Sequence, residues 1–216
     1  MHVLIMGGEG QLGRALRAAF GDEDETKVTS WDLPEYDMTQ PAITEMVADI
    51  GPDLVVNAGA WTDVDGAEAD PEAAYAANAL GPKFLADGCR ACGAPLVQIS
   101  TNEVFFGEEG SYFHEYDTPN PRSVYARSKA AGERAVQDAL QEQYIVRIAW
   151  LYGLGGNHFP AKIIAAADRV GALQVVDDEY GNPTYAEDVV IAIRRLTATG
   201  RYGIYHLVNE GNTSRN

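Results

Sequence analysis

Tyr125 and Lys129 are the candidate catalytic residues of this sequence, and the other elements of the fold must position their side chains. They are four residues apart in a segment rich in helix-forming residues, 123–133. On a helix, positions i and i+4 share one face, with β-carbons about 5–6 Å apart. An ammonium group there favours tyrosinate, so the pair predicts a tyrosine with a lowered pKa that donates a proton near neutral pH. Because the same pattern is also typical of a solvated helix face, its meaning depends on the elements before it.

A glycine-rich turn near the N-terminus predicts a dinucleotide site. The apolar run 2–6 is expected to be a buried strand, and residues 14–20 have helical periodicity. Between them, Gly7, Gly10 and Gly13 form the pattern G-x-x-G-x-x-G. Glycines there allow a tight turn, close approach to a pyrophosphate and close packing of the helix on the sheet. The phosphates would then lie at the helix N-terminus, beside unpaired N–H groups.

Asp32 predicts how the adenosine half of the dinucleotide is held. It ends the second predicted strand, residues 27–31, about 20 positions after the glycine turn, where an acidic residue binds the ribose hydroxyls. A carboxylate there would repel a 2′-phosphate, so this residue suits NADH at least as well as NADPH. Asp37 and Met38 follow in a loop that is expected to border the adenine. The expected cofactor is therefore NADPH or NADH.

Strands and helices alternate along the first 150 residues, which predicts an α/β fold. Three further strands are expected at 53–57, 95–100 and 144–149. This alternation predicts a doubly wound parallel sheet of the Rossmann type over residues 1–150. Ligands of such sheets bind at the carboxyl ends of the strands. Thr101, at the tip of the fourth strand, is therefore expected to converge with Tyr125 and Lys129 beside the nicotinamide.

The rest of the chain, residues 151–216, is expected to form a small and incomplete C-terminal substrate lobe. Its strands and helices would partly return to the Rossmann core. The expected elements are a turn at 153–157, a helix at 158–171, a short strand at 173–176, a helix from about 185 capped by Thr184, and a last strand at 202–208.

Composition narrows the function classes. A net charge of −16 argues against a nucleic-acid or membrane partner, and the absence of a long apolar run or signal-like N-terminus predicts a cytoplasmic protein. The two cysteines, Cys89 and Cys92, fall at the end of a predicted helix. That position favours core packing over a redox motif, and no second cysteine pair completes a zinc site. No metal site is predicted.

Several phrases, in order along the chain, resemble the extended short-chain dehydrogenase/reductase family. They are Gly7-x-x-Gly10-Gln-Leu-Gly13, residues 56–68 (VNAGAWTDVDGAE), Val124-Tyr125-x-x-x-Lys129-x-x-Gly-Glu133, Gly156-Asn-His-Phe159 and Gly203-Ile-Tyr-His-Leu207. Within that family these motifs are similar to those of enzymes in nucleotide-sugar biosynthesis. Such enzymes reduce the C4 keto group of dTDP-4-keto-6-deoxy sugars with NAD(P)H. The expected partner is thus a small nucleotide-sugar substrate, and a homodimer is left open.

The resemblance implies a role for each residue of the constellation. Tyr125 would donate a proton to the sugar C4 oxygen as hydride arrives from the nicotinamide. Lys129 would lower the pKa of that tyrosine and hold the nicotinamide ribose, and Thr101 would hydrogen-bond the same oxygen. Further implied contacts are Gly10, Gln11 and Leu12 with the pyrophosphate, Asp32, Asp37 and Met38 with the adenosine, Ala60, Trp61 and Thr62 beside the dinucleotide, and Trp150 with the sugar nucleotide. Trp150 is equally well explained as a core aromatic at a strand end.

Two departures from the family pattern keep alternatives open. Asn102 and Glu103 follow Thr101 where these reductases usually have Asp-Tyr, so contact with the substrate at Asn102 is expected to be altered. Thr-Asn-Glu is also similar to the Thr-Asp-Glu of sugar-nucleotide 4,6-dehydratases, although asparagine cannot supply the acid of that reaction. Family members are also longer, which raises a non-catalytic, NAD(P)-binding regulatory role like that of the methionine adenosyltransferase β subunit.

Overall fold

The computed structural model describes residues 1–107, 110–154 and 159–214. The strands are β1 (His2–Met6), β2 (Lys27–Trp31), β3 (Leu54–Asn57), β4 (Leu96–Thr101), β5 (Gln143–Ile148), β6 (Leu151–Tyr152), β7 (Tyr180–Gly181), β8 (Thr184–Tyr185), β9 (Gly203–His206) and β10 (Thr213–Ser214). The helices are α1 (Gln11–Gly21), α2 (Ile43–Ile50), α3 (Val64–Ala69), α4 (Pro71–Tyr75), α5 (Gly81–Cys92), α6 (Val124–Ala139), α7 (Phe159–Val170) and α8 (Ala186–Thr197). A π-helical turn (Ala76–Leu80) joins α4 to α5, and a 3₁₀ turn (Asn102–Val104) follows β4.

Six strands form one parallel sheet in the order β2-β1-β3-β4-β5-β9. The chain therefore winds outward in both directions from β1 and β3, which is the doubly wound arrangement predicted from the sequence. In such a sheet the point where the winding reverses leaves a crevice at the carboxyl ends of the strands. The turns after β1 and β3 both lie at that crevice.

Both faces of the sheet are buried, which explains the continuous apolar runs of the strands. In β1, Val3 and Ile5 face a core that includes residues of α1 and α8, whereas Leu4 and Met6 face the opposite core against α2, α5 and α6. This alternation follows from the two-residue period of a strand. The sheet is thus a rigid platform with its functional edge set by strand ends.

The C-terminal segment is divided between the sheet and short strand pairs. β9 pairs with β5 and extends the main sheet, and α8 packs against α1. β6 pairs with β8, and β7 pairs with β10. Among the described residues, no helix has the length and apolar character needed to span a bilayer.

Two local predictions in this segment are wrong. Residues 173–176 form no strand; the strand in this region is β7, Tyr180–Gly181, which pairs with β10. Thr184 does not cap α8, because its hydroxyl donates to the carbonyl of Asn182 (2.9 Å) and its backbone belongs to β8. Tyr185 occupies the N-cap position and makes no side-chain cap hydrogen bond. Residues 155–158, which hold most of the predicted turn and of the Gly156–Phe159 phrase, lie outside the described residues.

Candidate active site

A cleft of about 850 Å³ opens at the carboxyl ends of the strands, where the topology predicts a ligand site. The predicted site residues that line it are Gly7, Gly10, Gln11, Leu12, Asp32, Asp37, Met38, Ala60, Trp61, Thr62, Thr101, Asn102, Tyr125, Lys129 and Trp150. They come from the carboxyl ends of five strands, β1 to β5, and from α6, so the fold brings together positions that are far apart in sequence.

Gly13 is the one predicted site residue that does not line the cleft. A β-carbon on Gly13 would lie 2.1 Å from the Gly7 carbonyl oxygen, so this glycine lets α1 pack against the turn. Gly7 itself has a φ of +77°, and a β-carbon there would lie 2.4 Å from the Gly59 backbone nitrogen. The turn therefore needs glycine for backbone conformation and close packing, as the spacing predicts.

The N-terminus of α1 faces the cleft and fits a dinucleotide pyrophosphate. Gly10 is its N-cap and offers no side-chain acceptor to the N–H groups of the first turn. Within the described part of the chain, the buried Nε2 atom of Gln11 also has no hydrogen-bond partner. Because buried donors are usually satisfied, these groups fit an anionic oxygen-rich ligand.

Asp32 already serves a structural purpose at this end of the cleft. Its two carboxylate oxygens accept from the backbone N–H groups of Glu9 (2.7 Å) and Leu33 (2.8 Å), so it ties the glycine turn to the end of β2. Asp37 accepts from the Thr39 hydroxyl (2.7 Å) and N–H (2.9 Å), and these bonds lower the pKa of Asp37. The predicted adenosine side is therefore acidic.

Asn78 anchors the wall of the cleft to the helix that carries Tyr125. Its Oδ1 accepts from the Trp61 N–H (2.9 Å), and its Nδ2 donates to the Trp61 carbonyl (3.0 Å) and to Ser128 Oγ on α6 (2.9 Å). Asn78 lies in the π-helical turn, a feature that often occurs at functional sites. Asn78 is thus a buried bridge between the cleft wall and α6. The sequence signal for this role is a single asparagine in an otherwise apolar run, residues 76–80.

The start of α6 is held by two side chains from different parts of the chain. Ser123 Oγ accepts from the Ala126 N–H (3.0 Å), and Glu68 Oε1 from α3 accepts from the Val124 N–H (2.7 Å). These bonds satisfy first-turn N–H groups and place a negative charge at the positive end of the helix. They fix the turn that carries Tyr125.

Tyr125 and Thr101 form a donor pair, but the pKa of the tyrosine moves opposite to the prediction. Burial of the hydroxyl is the main cause that raises the pKa of Tyr125 to about 12; the Glu103 carboxylate acts in the same direction, and a hydrogen bond with Thr101 opposes both. The net direction is therefore opposite to the lowering predicted from Lys129, and burial is the reason. Tyr125 stays protonated at neutral pH, as a proton donor must.

Lys129 is buried, with 4% of its surface exposed, and its Nζ donates to the Ile99 carbonyl oxygen (2.6 Å). Burial lowers the pKa of Lys129 to about 8, and the Glu133 carboxylate opposes that change. An ammonium group held this way, one helical turn after Tyr125, is a preorganised cation, which is the feature expected of an electrostatic catalyst.

Trp150 lines the cleft in an unusual backbone conformation. Its φ is +42°, and its carbonyl accepts from the Thr184 N–H (3.2 Å) across the β6–β8 pair. A β-carbon on Gly181 would lie 2.6 Å from the indole ring, so the ring packs on a glycine backbone. Trp150 is partly exposed and lines the cleft, which favours the predicted contact over a core position. Such strained residues cluster at ligand sites.

Comparison with known proteins identifies the family. The family model described as "RmlD substrate binding domain" matches residues 1–216. The chain belongs to this family. It is 42% identical to the dTDP-4-dehydrorhamnose reductase of Streptomyces griseus over 220 residues, which is 99% of this chain and 72% of that protein.

Two solved members of the RmlD family share the fold closely. The dTDP-4-dehydrorhamnose reductase of Clostridium acetobutylicum has a TM-score of 0.95 and 36% identity, and the comparison covers 99% of this chain and 76% of that one. The Bacillus anthracis enzyme, solved in complex with NADP, has a TM-score of 0.92 and 35% identity with the same coverage. The Rossmann-type fold is thereby confirmed.

Proposed function

We propose that this protein reduces the C4 keto group of dTDP-4-dehydrorhamnose (dTDP-4-dehydro-6-deoxy-L-mannose) to give dTDP-L-rhamnose, with NADPH or NADH as reductant. The observation that carries the proposal is the convergence of Thr101, Tyr125 and Lys129 in one cleft with the glycine turn. The names of the related enzymes in the RmlD family support the same substrate.

The chemistry divides between the dinucleotide and the side chains. When bound, the dinucleotide supplies a hydride to C4. Tyr125 donates its proton to the C4 oxygen, and the Thr101 hydroxyl donates a hydrogen bond to the same oxygen. Donors aimed at a developing oxyanion typically contribute about 3–4 kcal/mol of transition-state stabilisation. Lys129, held by the Ile99 carbonyl, supplies positive charge that favours the tyrosinate left behind.

The binding roles follow the geometry of the cleft. Residues 1–150 would hold the dinucleotide, with Gly7, Gly10, Gln11 and Leu12 at the pyrophosphate. Residues 151–216 would contribute to a substrate lobe. Asn102 and Trp150, at the edge between them, would contact the sugar nucleotide. An RmlD-family relative with NADP bound supports the site, while the acidic adenosine side suits NADH equally.

Turnover with the purified protein tests the proposal directly. Mixing it with dTDP-4-dehydrorhamnose and NADPH or NADH should oxidise the dinucleotide, seen as loss of its near-ultraviolet absorbance. The Tyr125→Phe variant should be slower by about 100-fold or more, since it lacks the proton donor. Tyr112→Phe is the matched control because Tyr112 is 83% exposed. Equal rates for wild type and Tyr125→Phe would refute the mechanism.

The same assay separates the two alternatives. A regulatory subunit would bind dinucleotide, measured by its fluorescence, and give no turnover with the sugar. A 4,6-dehydratase would release water from dTDP-glucose and form a 4-keto sugar without net consumption of reduced dinucleotide. Asn102 stands where a dehydratase needs its acid, so the reductase outcome is expected.

A further inference from the structure

Glu133 and Arg147 form a buried ion pair behind Lys129 that the proposed reaction does not use. Each is 3% exposed, and neither lines the cleft. Arg147 Nη2 lies 2.7 Å from Glu133 Oε2, and Arg147 Nε lies 3.0 Å from Oε1, so the pair is bidentate. Ser100 Oγ donates a third hydrogen bond to the same carboxylate (2.5 Å). Burying two charges is costly unless geometry and hydrogen bonds compensate, so a buried ion pair is weak evidence for a role in stability alone.

The ion pair belongs to a regular set of contacts between β4 and α6. Three consecutive residues of β4 each hold one residue of the same helix face. The pairs are Ile99 with Lys129, Ser100 with Glu133, and Thr101 with Tyr125. Any shift of α6 along β4 would therefore break the Lys129, Glu133 and Tyr125 contacts together.

Arg147 is itself held from the far side. Its Nη1 lies 3.4 Å from His206 Nε2 on β9, and its guanidinium carbon lies 4.9 Å from the centre of the Phe105 ring. β5, which carries Arg147, pairs with both β4 and β9. The guanidinium therefore fixes the Glu133 carboxylate relative to the sheet, and Glu133 fixes α6.

The charges around Lys129 make the carboxylate of Glu133 decisive. On α6, Lys129 has Tyr125 one turn before it and Glu133 one turn after it. Glu103, from the 3₁₀ turn after β4, acts on Tyr125, while Arg147 of β5 and His206 of β9 lie behind Glu133. Glu133 is the charged group that favours the ammonium form of Lys129 against burial.

We propose that Glu133 and Arg147 are positioning residues for Lys129: Glu133 supplies the buried negative charge that keeps Lys129 an ammonium ion, and Arg147 holds that carboxylate in place. The inference rests on the proposed function, in which Lys129 acts as a cation beside Tyr125. Loss of the Glu133 charge would leave two buried cations, Lys129 and Arg147, without their carboxylate. Lys129 would then lose its proton at a lower pH.

The titration of Lys129 tests this without any turnover. The chain has four lysines, Lys27, Lys83, Lys129 and Lys162, so protein labelled with ¹³C at lysine Cε gives few signals, and Lys129→Met identifies the relevant one. In the wild type the Lys129 midpoint should lie at about 8. In Glu133→Gln it should fall by about one unit or more, because a close opposite charge shifts a pKa by about 1–3 units.

Two variants serve as matched controls. Glu133→Asp keeps the charge and should leave the Lys129 midpoint close to the wild-type value. Asp138→Asn removes an exposed carboxylate from the same helix and should not move it. If Glu133→Gln lowers the melting temperature but leaves the midpoint unchanged, the pair is only structural and the proposal fails.

A double variant keeps the test decisive if Glu133→Gln does not fold. Glu133→Met with Arg147→Met replaces both buried charges by apolar side chains, a change that often leaves stability unchanged or raises it. Its Lys129 midpoint should also lie below the wild-type value, and an unchanged midpoint would overturn the proposal. If the wild type gave no turnover with the sugar, the proposed function would fail while this titration would still decide the role of Glu133.

Discussion

The two sides of the cleft are held in place very differently. We call the described residues before 150 that line or directly support the cleft the cofactor side, and those from 150 to 214 the sugar side. On the cofactor side, Thr101 and Lys129 are 6% and 4% exposed and are hydrogen-bonded. On the sugar side, Lys162 is exposed, and Ile164 on the same helix, α7, is 64% exposed. No described side chain of α7 is fully buried.

This difference in packing fits a proposed difference in role, with proton transfer on the cofactor side and substrate recognition on the sugar side. Groups that move a proton must be fixed within fractions of an ångström, since a misplacement of about 1 Å can cost about 100-fold in rate. The cofactor side achieves this through contacts between β4, α6 and the π-helical turn. Groups that recognise a substrate tolerate a more lightly packed support. Substitutions on the cofactor side should therefore reduce kcat and stability, and those on the sugar side should raise KM.

The largest effect is expected from Gly132→Ala on the cofactor side. A β-carbon at Gly132 would lie 2.0 Å from the Asn78 carbonyl oxygen, so α6 must move away from the π-helical turn. We expect kcat to fall by about 100-fold and the free energy of unfolding by about 1–3 kcal/mol, measured by turnover and denaturant titration.

Gly21→Ala is the matched control for that substitution. Gly21 ends α1, and a β-carbon there would meet nothing within 4 Å. Alanine favours a helix over glycine by up to about 1 kcal/mol, so this variant should be as stable as the wild type or slightly more so. Full activity in Gly132→Ala would show that the fit between α6 and the π-helical turn does not position Tyr125.

A second prediction compares one asparagine from each side. Asn78→Ala removes three hydrogen bonds, two to the Trp61 backbone and one to Ser128 of α6. About 1–3 kcal/mol of stability should be lost, because backbone groups are left unpaired. We expect kcat to fall by about tenfold to thirtyfold. Asn182 also bridges backbone carbonyls, those of Asn209 and Gly211, on the sugar side. Asn182→Ala should leave kcat nearly unchanged. Equal losses of kcat in Asn78→Ala and Asn182→Ala would contradict the proposal that only the cofactor side positions the reacting groups.

The sequence predicted the parts of this arrangement that depend on local pattern. Apolar runs predicted the parallel strands, the glycine spacing predicted the turn after β1, and strand ends predicted that Thr101, Tyr125 and Lys129 meet. Each of these follows from short segments and the general geometry of an α/β sheet. The cofactor side was therefore largely predictable.

The rest depends on contacts between distant segments. Asn78 bridges to Ser128, 50 residues away, and the pKa of Tyr125 depends on burial and on Glu103, which a helical spacing of Tyr125 and Lys129 cannot reveal. On the sugar side, Thr184 bonds to Asn182 and pairs with β6, which overrides its preference for a helix cap. Lightly packed segments of two-residue strands give little periodic signal, so the 173–176 strand prediction is wrong there.

A third prediction concerns pH on the cofactor side. In the proposed reaction Lys129 acts in its charged form, and burial lowers its pKa to about 8, so kcat/KM for the dinucleotide should fall as pH rises through about 8. One unit above the midpoint the loss should be about tenfold. Tyr125, with a pKa raised to about 12, stays protonated across this range. The Lys129→Arg variant keeps a positive charge at high pH, so its kcat/KM should not fall as pH rises through about 8. If the fall persists in this variant, the titration of another group causes it.

The smallest effect is expected at Lys162 on the sugar side. Among the described residues that line the cleft, the cationic side chains are Lys129 and Lys162, and Lys129 is bonded to Ile99. An anionic sugar nucleotide entering a protein of net charge −16 therefore gains from the exposed Lys162 ammonium. Because exposed ion pairs contribute about 1 kcal/mol or less, Lys162→Met should raise KM for the sugar nucleotide by up to about fivefold, with kcat unchanged.

Arg169→Met is the matched control for Lys162, because Arg169 is on the same helix but does not line the cleft. Its KM should equal that of the wild type at physiological salt. The difference between the two variants should shrink as salt is added, since screening weakens exposed charges. A loss of kcat in Lys162→Met that matched the loss in Asn78→Ala would mean that the sugar side also positions the reacting groups. If the sugar side is a lightly packed recognition surface, Lys162→Met should raise only KM, and that increase should shrink as salt is added.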